Sequence, residues 1–365
     1  MLTLSRRHVR VLTLVLALLA VQFGSLLAPA HACGCGAMVP DGGRHLSVGG
    51  EVSVVRWDGR QEQIVMSLTV HGDADRAAWI MPVPHRATVR LGDQALFDEL
   101  SAATAPVHRD RYHFWPQDGD WPLVTGDDMA GAPPAPGADA GVGVVGRRRL
   151  GPFDVAQLTA ADPDALGTWL DTHGFTFPPR LARALEPYVD RRWEYVAVRL
   201  APETGGAPLT GTLDPLHLTF AADAPVYPMR LSRLAATPQS LRLYVLAAHR
   251  MQPRSAIGGE PPHVSYAGRP AASSGPLAEL AAGTPYLTAI DQEFPRPENI
   301  SGDHELRRAA HDTAYQQVIY EDRLLTVAGL PAWLLTAGGG SALAVTVITV
   351  VTVRRSRRPL APGTA

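Results

Sequence analysis

Apolar and polar side chains alternate along two neighbouring segments near the start of the chain, and this alternation predicts a β-hairpin. The segments are residues 51–57 and 61–70, and Asp58-Gly59 lies between them. In the second segment every other residue is a large apolar one: Ile64, Met66, Leu68 and Val70. Because Asp-Gly accepts the positive φ angles of a tight turn, the two segments are expected to pair as antiparallel neighbours.

Further short apolar runs predict more strands. They cover residues 77–81, 87–91, 153–159, 193–200, 216–220, 226–231, 241–248 and 286–290. A proline-rich break, Pro82-Val83-Pro84, separates the first two of these runs, since proline cannot donate to a ladder.

Helices are predicted where apolar residues recur every three or four positions, in place of every second position. Residues 94–103 follow the cap Asp93, and residues 162–173 open with Asp162-Pro163. The second of these places Leu166, Trp169, Leu170 and His173 on one face. A third helix has the same spacing at Leu181, Ala184, Leu185 and Tyr188, and a short one is expected at residues 303–310.

Two stretches lack either period and are predicted as loops. One is the Pro/Gly/Ala-rich segment near residues 130–141, and the other, rich in Pro, Gly and Ser, covers 253–276. Hairpin-like strands with helices inserted between some of them favour an α+β fold with a mostly antiparallel β-sheet.

Both ends of the chain carry long apolar segments. Residues 1–32 predict a signal peptide, because arginines precede the apolar run and Ala30-His31-Ala32 fits an A-x-A cleavage site. Residues 332–353 carry no charge, predict a transmembrane helix, and precede a basic tail at 354–365. Positive residues stay on the cytoplasmic side, so residues 33–330 are expected to be extracytoplasmic in a single-pass protein of the cell membrane.

Two alternative export routes remain open. Ser5-Arg6-Arg7 is similar to the start of a twin-arginine signal, although the strongly apolar stretch after it favours the general secretory route. Cys33 would be the first mature residue, as in a lipoprotein, but Ala30-His31-Ala32 is a poor version of the Leu-rich lipobox.

Composition excludes several classes of protein. The net charge is −2 and the charges are well mixed, so no nucleic-acid-binding footprint is present. With two cysteines in the chain, a scaffold held by several disulfides is also excluded.

These two cysteines form the motif Cys33-Gly34-Cys35. Outside the cytoplasm the pair is expected to oxidise, although a disulfide across one residue requires Gly34 to bend the chain. Free or intermolecular thiols and a thiolate metal site are the alternatives.

Residues 108–113 collect His108, Asp110 and His113, all of which are capable of binding a metal ion. The spacing fits no helical metal motif, and the intervening Arg109 and Arg111 would repel a cation. The segment is therefore predicted to be a polar, solvated loop without a metal.

Trp115 and Trp121 stand beside prolines in the same stretch. If exposed, the two indoles can stack on the sugar rings of an envelope glycan; if buried, they belong to a small satellite core. Together with Arg109 and Arg111 they form the predicted ligand-binding set.

Recognisable catalytic motifs are absent from the sequence: there is no G-x-S-x-G, S-x-x-K, P-loop or dinucleotide fingerprint. The missing motifs lower the odds of catalysis, and we expect a cell-envelope binding or structural module without a cofactor. The alternatives are an envelope hydrolase with a His/Asp site and a metal or redox protein using the Cys-Gly-Cys element.

Several motifs resemble a known family when taken in order. They are C-G-C-G-A-M-V-P, A-W-I-M-P-V-P, L-G-D-Q-A-L-F-D-E-L and G-P-F-D-V-A-Q-L followed by L-G-T-W-L-D-T-H-G-F. From about Cys33 to Arg250 the chain is similar to the bacterial exported proteins that share the domain of unknown function 2330. The resemblance implies secretion or surface anchoring, and it implies no catalytic residue.

Overall fold

A computed structural model describes residues 36–117, 120, 147–148, 155–159, 163–201 and 208–356. The chain divides into two compact units, one formed by residues 1–105 and 140–316 and the other by 106–139 and 317–365. Several predictions fall outside the described residues, namely the signal peptide, Cys33, Cys35, Trp121, the loop near 130–141 and the end of the basic tail.

The strands of the first unit account for most of its described structure. In chain order they are β1 (Ala37–Pro40), β2 (Leu46–Trp57), β3 (Gln61–Gly72), β4 (Ala77–Val83), β5 (Thr88–Leu91), β7 (Arg147–Arg148), β8 (Val155–Thr159), β9 (Glu194–Leu200), β10 (Gly211–Leu213), β11 (Leu216–Ala221), β12 (Val226–Tyr227), β13 (Gln239–Ala247), β14 (Met251–Pro253), β15 (His263–Gly268), β16 (Tyr286–Phe294), β17 (His304–Arg308) and β18 (Tyr315–Gln316). Strand β6 (Val107–His113) belongs to the second unit.

Four α-helices and two short 3₁₀ helices are described in the first unit. The α-helices are α1 (Ala95–Thr104), α2 (Pro163–Thr172), α3 (Pro179–Asp190) and α4 (Pro276–Ala281), and the 3₁₀ helices are Arg230–Leu234 and Pro297–Asn299.

Two main sheets organise this unit. The smaller has the order β1-β4-β9-β8, and the larger has the order β18-β15-β16-β13-β2-β3-β10-β7. In the larger sheet β11 also pairs with β3, and β5 pairs with β11. Most neighbours are antiparallel, while β13–β2 and β10–β7 are parallel. The predicted α+β class with a mostly antiparallel sheet is confirmed.

The first unit has four layers of secondary structure, and a hydrophobic core lies between each pair of neighbouring layers. The largest core lies between the two sheets and includes Ile64 and Trp79. A second core packs α2 and α3 on the outer face of the smaller sheet, and a third packs α1 and α4 on the outer face of the larger sheet. The layers therefore follow the order helix, sheet, sheet, helix, which buries both faces of each sheet.

The predicted hairpin is present as β2 and β3, joined at Asp58-Gly59. Gly59 has a φ angle of 103°. The Asp58 carboxylate accepts backbone N–H groups from Arg60 at 3.1 Å and from Gln61 at 2.9 Å. These bonds hold the pKa of Asp58 below its ordinary value. The apolar positions of β3, from Ile64 to Val70, face the inter-sheet core as their alternation predicts.

Three local predictions in this unit are wrong. Residues 303–310 do not form a helix, because they supply β17, which pairs with both β12 and β14. The strand expected at 226–231 ends at Tyr227 and a 3₁₀ helix follows. The loop expected at 253–276 contains β15, which pairs with β16. In each case a partner distant in sequence decides the structure.

The second unit consists of three elements in its described part. Strands β6 (Val107–His113) and β19 (Val318–Leu324) form a parallel two-stranded ribbon. Strands β20 (Thr326–Val327) and β21 (Leu330–Pro331) form a small hairpin, and helix α5 (Ala332–Ser356) follows it. Within the described residues, Ala332–Arg355 is the helix long and apolar enough to cross a membrane.

Candidate membrane-proximal surface

The ribbon of the second unit is exposed on both faces, which is unusual for parallel strands. In its register Arg109 lies opposite Tyr320, Arg111 opposite Asp322 and His113 opposite Leu324. Because side chains alternate along a strand, odd-numbered residues of β6 occupy one face and even-numbered residues the other. The prediction that 108–113 is a loop is therefore wrong.

One face of the ribbon is held by ion pairs. Arg323 contacts Asp110 at 2.7 Å and Glu321 at 2.9 Å, and His108 contacts the same Glu321 at 3.0 Å. The hydrogen bond from Arg323, followed by that from His108, keeps the pKa of Glu321 below its ordinary value. These exposed pairs fix the register of two strands that have little apolar burial between them.

The opposite face engages one of the predicted ligand-binding arginines. Arg111 reaches the Asp322 carboxylate with two nitrogens, at 2.5 and 2.8 Å, and its guanidinium lies 5.7 Å from the centre of the Tyr320 ring. This pairing lowers the pKa of Asp322. Arg111 is thus occupied within the ribbon, whereas Arg109 on the same face is exposed.

The turn after β6 carries the exposed aromatic residues. Trp115 is 67% exposed and packs edge-on against Phe114, with ring centres 5.2 Å apart. His113 contacts the carboxylate of Asp120 at 2.5 Å, and the backbone N–H of Gln117 donates to that carboxylate at 2.9 Å. These two hydrogen bonds lower the pKa of Asp120 and close the turn.

The same turn is tied to the start of helix α5. The backbone N–H of Leu325 donates to the carbonyl oxygen of His113 at 2.8 Å, and the N–H of Ala332 donates to Leu325 at 2.8 Å. The end of β6 and the first residue of the helix therefore share Leu325 as a common hydrogen-bonding partner.

The metal-capable residues of this stretch do not converge. His108 and His113 lie on opposite faces of the ribbon and pair with different carboxylates, Glu321 and Asp120. Across the described part of the chain, no group of three or more His, Cys, Asp or Glu side chains is arranged to hold a metal ion.

A buried polar cluster in the first unit escaped the sequence analysis. Tyr227 donates a short hydrogen bond to Glu51 and contacts the Ser53 hydroxyl at 2.5 Å. The fully buried Glu62 accepts the backbone N–H of Val226. Burial raises the pKa of Glu62 well above its ordinary value.

Next to this cluster, two further buried groups come from the first residue of β17 and from the residue before it. His304 is opposite Tyr227 in the ladder, and burial lowers its pKa to about 4. Asp303 accepts hydrogen bonds from the Tyr188 hydroxyl at 2.6 Å and from the backbone N–H groups of Met229 at 3.1 Å and Arg230 at 3.0 Å. Asp303 thereby joins helix α3 to the strand region that carries the cluster.

Glu51, Glu62 and His304 occupy strand positions, and Asp303 directly precedes a strand. A lone acid in a predicted strand, such as Glu62 next to Ile64, is the sequence signal that could have marked a buried titratable group. Their burial favours a role in specifying the fold.

Comparison with known proteins places the chain in a bacterial context. Residues 29–307 match the model of a family described as an uncharacterized protein conserved in bacteria, DUF2330. A search of curated protein sequences finds no significant match. Among solved structures, the crystal structure of baculovirus P35 is similar with a TM-score of 0.38 and 10% identity, over 72% of this chain and 97% of that one. At that score the likeness carries no inference about function.

Proposed function

The chain belongs to the DUF2330 family of bacterial proteins, and from that premise we propose that it is an exported, single-pass module of the cell envelope. Its role is to bind or support an envelope component, and it does not catalyse a reaction. Residues 33–330 face the outside, helix α5 anchors the chain, and the basic tail stays in the cytoplasm.

The observation that carries this proposal is the exposed aromatic and cationic surface beside the anchor helix. Trp115 leaves two thirds of its surface open to solvent, two residues after His113, whose carbonyl oxygen is linked to the helix start through Leu325. Aromatic and arginine side chains supply most of the binding energy in protein interfaces. The proposed contact residues are Trp115, Trp121 and Arg109, while Arg111 supports the surface through Asp322.

Support for binding over hydrolysis comes from the histidines. A hydrolytic site needs its base, its acid and its nucleophile or metal close together. In the described ribbon His108 and His113 are each paired to a carboxylate on a different face. This arrangement suits the fixing of a surface better than the activation of water.

Sedimentation with purified, lipid-free bacterial cell-wall material tests the proposal on the full chain in detergent. The Trp115→Ala/Trp121→Ala variant is expected to lose most of the retention shown by the wild type, with an unchanged circular dichroism spectrum. The matched control is His108→Ala/His113→Ala, which should sediment as the wild type does. The binding proposal would be wrong if the tryptophan variant sedimented as the wild type does, while the histidine variant alone lost both its retention on the cell wall and a bound metal ion. That result would favour the metal hydrolase.

A further inference from the structure

We propose that the hairpin between the ribbon and helix α5, residues 325–331, is a wedge that lies in the interfacial region of the outer leaflet. Its two strands pair through Thr326 with Pro331 and Val327 with Leu330. The turn residues Ala328 and Gly329 both have positive φ angles, 51° and 78°. This is the geometry of a tight two-residue turn, so the hairpin is a defined element.

The side chains of this hairpin are chemically suited to lipid. Leu325, Val327 and Leu330 are 36%, 53% and 54% exposed, so a large part of their apolar surface is open to solvent. From Leu324 to Val353 the sequence carries no charged residue. Such contiguous apolar exposure is unfavourable in water and marks a surface that binds another apolar phase.

Length shows where the hairpin lies relative to the bilayer. Residues 332–353 in helical conformation cover about 33 Å at roughly 1.5 Å per residue, and the hydrocarbon core is about 30 Å thick. The helix is therefore long enough to span the hydrocarbon core by itself, and the uncharged hairpin lies outside that core, at the level of the headgroups. Trp333, in the first turn of the helix, is the residue type that concentrates at this depth.

The backbone hydrogen bonds of the hairpin and the charges before it are consistent with a position at the headgroup level. The hairpin satisfies part of its own backbone through the bond from Ala332 to Leu325, as a partly dry environment requires. Immediately before the hairpin, Arg323 is engaged in the exposed ion pairs of the ribbon. The apolar element is thus bounded by a charged, water-facing ribbon on one side and by the membrane span on the other.

This inference rests on the single-pass anchor of the proposed function, and the test separates the two. The full chain carrying Cys33→Ser and Cys35→Ser is reconstituted into vesicles of phosphatidylethanolamine and phosphatidylglycerol. A single spin label is placed through Val327→Cys, with Arg109→Cys as the ribbon reference and Val345→Cys as the mid-span reference. Collision rates with oxygen and with a water-soluble nickel chelate report the depth of each label.

We expect the ratio of oxygen to nickel collisions at Val327→Cys to fall between the two references, severalfold above that at Arg109→Cys. A value equal to Arg109→Cys, with Val345→Cys in lipid, would overturn the wedge and leave the anchor intact. If Val345→Cys also reported water, the anchor itself would be wrong. Low collision rates with both reagents at Val327→Cys would indicate contact with a second copy and would also overturn the wedge. Leu330→Cys repeats the measurement should Val327→Cys fail to fold.

Discussion

The backbone N–H of Leu325 lies 2.8 Å from the carbonyl oxygen of His113, and this hydrogen bond joins the end of one ribbon strand to the chain that enters helix α5. The backbone N–H of Ala332, the first residue of the helix, donates to the carbonyl oxygen of Leu325, so the end of β6 is linked to the helix start through Leu325. In our account this arrangement places an exposed aromatic surface where the chain meets the membrane.

Asp303 should be the most sensitive polar residue of the first unit. Asp303→Ala removes the acceptor used by Tyr188, Met229 and Arg230, and leaves buried donors unsatisfied. We expect a loss of about 3 kcal/mol or more in the free energy of unfolding, measured by urea titration. The control, Asp190→Ala at an exposed position of helix α3, should change stability by less than about 0.5 kcal/mol. If the two substitutions changed the free energy of unfolding equally, Asp303 would not be the residue that joins helix α3 to the neighbouring strand region.

Stability should fall on mild acidification because of His304. Its pKa is lowered to about 4 in the folded protein, against about 6.5 when unfolded, so the unfolded state binds the extra proton between these values. The stabilisation is complete above pH 6.5 and is lost as the pH falls toward 4.

His304→Gln should weaken this pH dependence, measured as the thermal midpoint at several pH values. Some dependence will remain, since burial also lowers the pKa of His217 to about 4. His85→Gln, at an exposed position of the first unit, should retain the wild-type profile. An unchanged slope in His304→Gln would show that His304 does not carry the effect.

Glu62 should give the opposite pH dependence, in which its contribution to stability falls as the pH rises. Burial raises the pKa of Glu62, so the folded state binds the extra proton and its contribution to stability is lost as the pH rises above about 4.5. Glu62→Gln keeps an acceptor for Val226 and cannot ionise. Relative to the wild type, this variant should become more stable as the pH rises above about 4.5; a difference in unfolding free energy that does not change with pH would contradict the assignment.

Two neighbouring residues of helix α2, Leu170 and Trp169, should differ in how much each contributes to stability. Leu170 is fully buried against the smaller sheet, whereas Trp169 lies at the margin and stacks on His173 with ring centres 4.3 Å apart. Leu170→Ala is expected to cost about 2–5 kcal/mol of unfolding free energy. Trp169→Ala should cost less, despite the larger side chain, because part of its ring already meets solvent. The reverse order in calorimetry would mean that the helix face is rotated.

Local sequence pattern predicted the elements whose partners are also local. The hairpin β2–β3 has its turn signal between its strands, and α1 is defined by the spacing of Leu96, Phe97 and Leu100. Strand β6 could not be predicted in this way, because its partner β19 lies about two hundred residues later and its polar side chains resemble those of a loop.

The candidate surface stays a prediction from the sequence, to which the structure adds the arrangement of its described residues. Arg109, Arg111 and Trp115 were selected from the sequence, but nothing local shows that Arg111 is paired with Asp322. The buried acids are a second example. Whether Glu51 and Glu62 face water or the core depends on which strands pair, and pairing is settled by the whole sheet.

Mass spectrometry of the membrane fraction, before and after adding protease to intact cells, tests the topology most directly. We expect a mature N-terminus at or next to Cys33 and, after proteolysis, a protected C-terminal fragment that retains the span and the arginine-rich tail. A chain that still begins at Met1, or a tail that the external protease removes, would contradict the proposal of an exported module anchored by helix α5.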